Sequence, residues 1–122
     1  MTDWERLGGE PGVRLLIDAL VDRFSDDLII GFHFEGRDLD RIKSHELGLA
    51  SLHLGGKLTY QGRPLASAHR PLRINKGQFR RRLALLRTVL CARGVPDDIV
   101  DRWIAHDARF ESAITDGTDC AP

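Results

Sequence analysis

The stretch PLASAHRPLRIN, Pro64 to Asn75, carries a histidine two residues before Pro71, after a run of small and apolar residues. Proline biases Arg70 away from the helical region, so a helix through Ala66–His69 must be short. Ala66 and Ala68 leave space beside the His69 ring, and small neighbours let a flat object approach the backbone. A neutral imidazole with its other nitrogen bonded to a backbone carbonyl is the usual axial ligand of iron. His69 is therefore a candidate metal ligand, weighed against the surface or satisfied core role that a single histidine more often has.

Outward from this stretch the chain reads as helices. Val13, Leu16, Ile17, Leu20, Val21 and Phe24 recur at helical spacing after Pro11, which suits a first turn. Ser25, Asp26 and Asp27 suit a cap for the short piece that follows. The segment Asp38 to Leu54 sets Leu39, Ile42, Glu46, Leu49, Ala50 and His53 on one face, with His45 at its edge, and Gly55-Gly56 ends it. Two longer helices follow, one with the stripe Phe79, Leu83, Leu86, Val89 and Leu90, the other opening at Pro96 and continuing through Phe110 with Ile99, Val100 and Trp103. With no strand pair and no repeat, the expectation is an all-α domain.

Composition limits the function. The 122 residues suit one domain with a core of about residues 4–112 and fraying ends, the tail 115–122 included. Hydrophobic residues make up 42% and charged residues 30%, as in a globular chain. Lys plus Arg equals Asp plus Glu at 18 each, so bulk charge gives no case for nucleic acid. The triple Arg80–Arg82 reads as a solvated face or, second, a docking face for a reductase. The two cysteines form no scaffold pattern, no segment has the length of a membrane span, and none resembles a signal peptide, so the expected location is cytoplasmic. No histidine or cysteine spacing argues for zinc, and no phosphate loop is present.

Three glycine motifs stand in order: LGG at Leu7–Gly9, LGG at Leu54–Gly56 and YQGR at Tyr60–Arg63. FHF at Phe32–Phe34, AH at Ala68-His69 and GVPDDIV at Gly94–Val100 join them. In order, spacing and total length these motifs resemble the truncated haemoglobins, most closely group I of the cyanobacterial kind. From Leu7 through His69 the register needs no gap, and the likeness spans about Trp4 to Phe110.

The resemblance implies a truncated globin two-over-two helical sandwich around haem, in which His69 binds the iron. It implies that Phe34 packs on the ring, that Ile74 and Phe79 line its floor, and that Ile42 and Leu65 touch it. Arg41 and Arg63, with Lys43 or Tyr60, are the propionate candidates. Where the family carries a distal tyrosine, this chain has Leu20-Val21, or Phe24-Ser25 if a gap is admitted. Ile42 and Glu46 replace the distal pair, and Leu49 or Ala50 stands where a bulky residue can close the ligand tunnel. KSHE around His45 is similar to RAHQ of cyanobacterial members, whose histidine binds iron from the distal side. His45 is thus either a distal iron ligand or, with Glu46, a hydrogen-bonding partner of a bound water or ligand. The position that bonds haem covalently in those relatives falls near Ser112, so the expected cofactor is non-covalent haem b.

The implied function is reversible binding of O2, NO and CO, with an NO-detoxifying (dioxygenase-like), peroxidase-like or redox role served by an electron-donating reductase. Ligand sensing or oxygen storage and transport is the alternative, and a helical binding module without haem the remote one. A monomer or weak dimer is expected, with no nucleic-acid or membrane partner.

Overall fold

The structure, a computed structural model, describes residues 1–60, 64, 68–69 and 72–116. Arg63, Leu65, Ala66, Arg70 and Pro71 lie outside the described residues. Helix α1 (Asp3–Arg6) opens on a capping box: the Thr2 hydroxyl accepts from the Glu5 N–H at 3.1 Å, and the Glu5 carboxylate reaches back to Thr2. Thr2, expected to fray, is thereby tied down.

Helix α2 (Gly9–Ser25) starts two residues before Pro11 rather than at it. Its first-turn N–H groups have no intrahelical partner, so proline costs nothing there. All six residues of the expected apolar face are buried. Each large one contributes about 1.5–3 kcal/mol relative to exposure.

Beyond α2 the chain turns through residues 28–30 into a 3-10 helix, Gly31–Phe34. Asp27 organises this corner. Its carboxylate is 2% exposed and accepts from the N–H groups of Ile29 (3.0 Å) and Ile30 (3.2 Å), from Arg23 (3.2 Å) and from Arg81 Nη2 (2.7 Å).

Helix α3 (Leu39–Leu54) begins at Asp38, whose side chain accepts from the Asp40 and Arg41 N–H groups, and stops at Gly55, φ +92°. That left-handed conformation is open to glycine at little cost. The buried residues of α3 are Leu47, Gly48, Ala50, Ser51 and Leu54, a face rotated from the expected one. The helix has two apolar sides: Leu47 and Leu54 join the packed core, while Ile42, His45, Glu46, Leu49 and His53 look into a cavity.

Helix α4 (Lys76–Ala92) starts at a second capping box, Asn75 with Gln78. Helix α5 (Asp97–Ala108) carries Asp97 and Asp98 in its first turn, where acids suit the helix dipole. The last expected helix is broken at Arg109-Phe110 and resumes as α6 (Glu111–Ile114). The break turns the chain back, so that Asp116 N–H donates to the Ile74 carbonyl at 2.8 Å and Thr115 pairs with Ile74 in an isolated bridge. The start of the expected loose tail is therefore tied to the body. Among the described residues there is no other extended pairing, and no helix is long and apolar enough to cross a membrane.

Helix α2 packs on α3 and α4, and α4 packs on α5. The result is an all-α, two-over-two arrangement of helix pairs with one core, through Leu20, Leu47, Leu86, Leu90, Ile99 and Trp103.

Only part of the Arg80–Arg82 triple is the expected solvated face, since Arg80 is exposed. Arg80 pairs with Glu111 at 3.5 Å, Arg81 with buried Asp27, and Arg82 turns inward. The Arg81 guanidinium holds the Asp27 carboxyl well below its ordinary 3.8, against burial and helped by the two backbone N–H groups. A carboxyl depressed on folding stabilises the fold above its unfolded value, and that contribution fades as pH falls through the folded one. Asp27→Asn therefore lowers the melting temperature at neutral pH, and the difference from wild type shrinks as melts are run progressively below pH 4. A constant difference from pH 7 into that acid range would contradict this reading.

Candidate functional site

The interior cavity is walled by all four long helices, the 3-10 helix and the segment around His69. About 240 Å³ of it is open to the centre of a water molecule. One water needs roughly 10–15 Å³ on that measure, so the space suits a much larger guest.

Its walls are mostly apolar. Helix α2 contributes Val21 and Phe24, and no α2 hydroxyl is among the described lining residues. Phe34 from the 3-10 helix lies 6.3 Å from Phe24, ring centre to ring centre. Ile42, Leu49 and Ala50 come from α3, Phe79 from α4, and Ile74 from the segment before it.

His69 lines this cavity, half-buried, beside Ala68 and Leu72. His33, which the sequence did not single out, lies near it. Burial lowers the His33 imidazole below its ordinary value against a 3.3 Å contact with Gln78 Oε1, and the charges of Arg37 and His69 add to the depression. The Gln78 oxygen also accepts from Asn75 N–H in the α4 capping box, which fixes its position.

His45 lines the same cavity from α3 and meets the Tyr60 ring edge-on at 5.9 Å. Gly48 eases this contact: a Cβ there would stand 3.1 Å from Tyr60 Cα, so residues 59–60 would have to give by a few tenths of an ångström.

Of the sequence candidates, Phe34, Ile42, His45, Glu46, Tyr60, His69, Ile74 and Phe79 are lining residues. Arg41 is exposed on α3, and Lys43 pairs with Asp22 (2.8 Å) and Asp18 (3.9 Å); neither is among the described lining residues. Arg37 is, with its Nε donating to the His33 carbonyl at 2.8 Å.

The largest omission is Arg82. Its guanidinium reaches Glu46 on α3 (3.3 Å) and Asp107 on α5 (3.1 Å), and lies 5.0 Å from the Phe24 ring centre. Burial works against its charge, but Glu46 and Asp107 outweigh that and raise its already high value. Burial would also raise Asp107, yet hydrogen bonds from His106 and Arg82 hold its carboxyl below the ordinary range. His106 stacks on His53 at 4.0 Å. Burial, reinforced by the neighbouring His106, lowers the His53 imidazole to about 4.

The residues present fit a haem. A flat apolar group finds aromatic and aliphatic walls, iron finds imidazoles from two different elements, and carboxylates at an open edge find Arg37. Comparison with known proteins agrees with that chemistry. The sequence profile of the Bacterial-like globin family matches residues 2–116. The Group 1 truncated hemoglobin GlbN of Synechocystis is 30% identical over 103 residues, covering 81% of this chain and 83% of that protein. Its counterpart in Mycolicibacterium paratuberculosis is 26% identical over 115 residues, 93% and 84% of the two chains. In fold, the truncated hemoglobin of Tetrahymena pyriformis in its Fe(III) form superposes with a TM-score of 0.84 at 21% identity, over 97% of this chain and all of that one. The 2/2 hemoglobin of Synechococcus, solved in the cyanomet state and with covalently attached heme, gives 0.86 at 20% identity over 93% and 98%. A match across nearly the whole chain, on a fold whose cavity carries the expected histidines, means that this chain belongs to the Bacterial-like globin family, a family that implies haem binding.

Proposed function

We propose that the cavity holds haem b non-covalently, with His69 as the proximal iron ligand, and that the chain binds O2, NO and CO there. One observation carries the reading: His69 and His45, from separate elements, line a single largely apolar cavity together with Phe34, Ile74 and Phe79. The haem, when bound, supplies an iron that takes diatomic ligands and cycles between ferrous and ferric.

The chain's own residues set the surroundings. His33 and Gln78 stand beside the His69 segment and restrict its position. Arg37 at the open edge takes the propionates, in place of Arg41 and Lys43. The position at which haem would be bonded covalently is itself Ser112, and the histidine nearest to it in sequence is His106, whose Nδ1 and ring face meet Asp107 and His53; this supports non-covalent haem.

On the distal side His45 is either a ligand or a donor. As a ligand it closes the iron until it swings away, so binding is gated. Glu46 matters in the other case. A carboxylate offers only acceptors, so Glu46, its charge paired with Arg82, gives no hydrogen bond to a bound ligand whose outer atom gathers negative charge. With no α2 hydroxyl to supply one, retention of O2 is weak. This favours turnover over storage: a bound haem would supply the O2 and the one electron with which NO becomes nitrate, and a reductase would restore that electron.

The purified protein shows a Soret band in this account, lost in His69→Ala, and acidified organic solvent extracts all of its haem. A protein that stays colourless after haemin addition rules the haem reading out. If His45 binds iron, the ferric spectrum at neutral pH is low-spin and becomes high-spin in His45→Ala; a high-spin spectrum indifferent to the substitution removes that role. Mixing the oxygenated ferrous protein with NO yields stoichiometric nitrate and ferric protein, and an absence of nitrate excludes the dioxygenase reading.

A further inference from the structure

Two helical turns along α3 from His45, about 12 Å on, a second set of donor atoms converges. His53 of α3 stacks on His106 of α5 with planes 18° apart. Asp107 puts Oδ1 2.9 Å from His106 Nδ1. One donor atom from each of His53, His106 and Asp107 lies within 4.8 Å of the other two. Aromatic edges brace the pair: Trp103 lies 5.3 Å from the His53 ring and Phe110 5.1 Å from that of His106. All three donors line the interior cavity. The haem reading gives none of them a role as an iron ligand.

We propose that His53, His106 and Asp107 bind a divalent first-row transition-metal ion, at a site separate from the haem iron. Two imidazoles and one carboxylate suit zinc, copper, iron or nickel over magnesium or calcium. The donor atoms are close enough for one ion once the stacked rings turn to aim their in-plane lone pairs at it. Two donors each about 2.0–2.2 Å from one ion stand roughly 2.9 Å apart when they subtend a near right angle, which is the present distance between Oδ1 and Nδ1. The ion takes the Nδ1 lone pair, and a proton carried there moves to Nε2 of the same ring, so that His106 binds as a neutral imidazole.

Charge allows this although a guanidinium is close. Arg82 holds the other carboxylate oxygen, Asp107 Oδ2, at 3.1 Å, and Glu46 holds Arg82 from its far side at 3.3 Å. Two carboxylates against one guanidinium leave the cluster net negative before the ion arrives. Arg82 also orients Asp107, as an outer-shell partner does. Three protein ligands leave a coordination position open towards the cavity for water or a small anion.

The test uses the full chain as purified and zinc chloride as the probe. After desalting, one zinc per chain is retained, and its K-edge X-ray absorption spectrum fits two imidazole nitrogens and one carboxylate oxygen. His53→Gln, His106→Gln and Asp107→Asn each weaken zinc binding by more than the roughly 10–100-fold that loss of an outer-shell partner costs. Cys91→Ser, at an exposed thiol, binds zinc as wild type does. No retained zinc, a sulfur or a lone imidazole in the shell, wild-type affinity in ligand variants of unchanged circular dichroism, or loss of binding in His45→Gln overturns the proposal. The wild-type spectrum decides the matter even if a variant does not fold, and neither outcome depends on haem.

Discussion

One arginine touches every long helix of this molecule. Arg82 belongs to α4, pairs with Glu46 of α3 and Asp107 of α5, and lies near the Phe24 ring of α2. Its side chain is 22% exposed, so the pairs sit where water screens them little. Taking the arginine away would leave two half-buried carboxylates facing each other without their counter-charge. The apolar walls of a cavity gain by collapsing inward. A charged strut across the cavity resists that collapse. It also makes the cavity polar at one end and apolar at the other.

That polarity divides the cavity. Phe34, Ile74, Phe79 and Ile42 offer a flat guest apolar contact beside His69 and His45. Glu46, Arg82, Asp107, His106 and His53 form a chain of charged and imidazole groups at the other end. The globin family accounts for the first half. The second half is the cluster proposed above to hold a metal ion.

Much of this was legible in the sequence. The 3.6-residue period of Val13 to Phe24 matched the buried face of α2 residue for residue, because a helix packed on one side leaves a plain signal. Helix α3 misled, since it is apolar on two sides: one packs, the other lines the cavity, and periodicity alone does not separate them. His69 stood out through the short helix and small neighbours before Pro71, and His45 and Glu46 through the likeness of KSHE to RAHQ. Arg82 did not, since three arginines in a row read as a solvated face. The signal was nonetheless present: Arg82 follows Phe79 by three residues and precedes Leu86 by four, which sets it on the buried stripe between them. Asp107 follows Trp103 by four in the same way. A charged residue on an apolar stripe is the mark of a buried ion pair, and its partner is the second such residue on a facing helix.

The haem reading rests on iron held by His69 in this cavity. Anomalous diffraction at the iron edge, from crystals of the protein loaded with haemin, tests it most directly. The account predicts one iron peak per chain, within coordination distance of the His69 imidazole and with His45 on the opposite side. An iron peak elsewhere, or a cavity without iron in crystals grown with stoichiometric haemin, would contradict it.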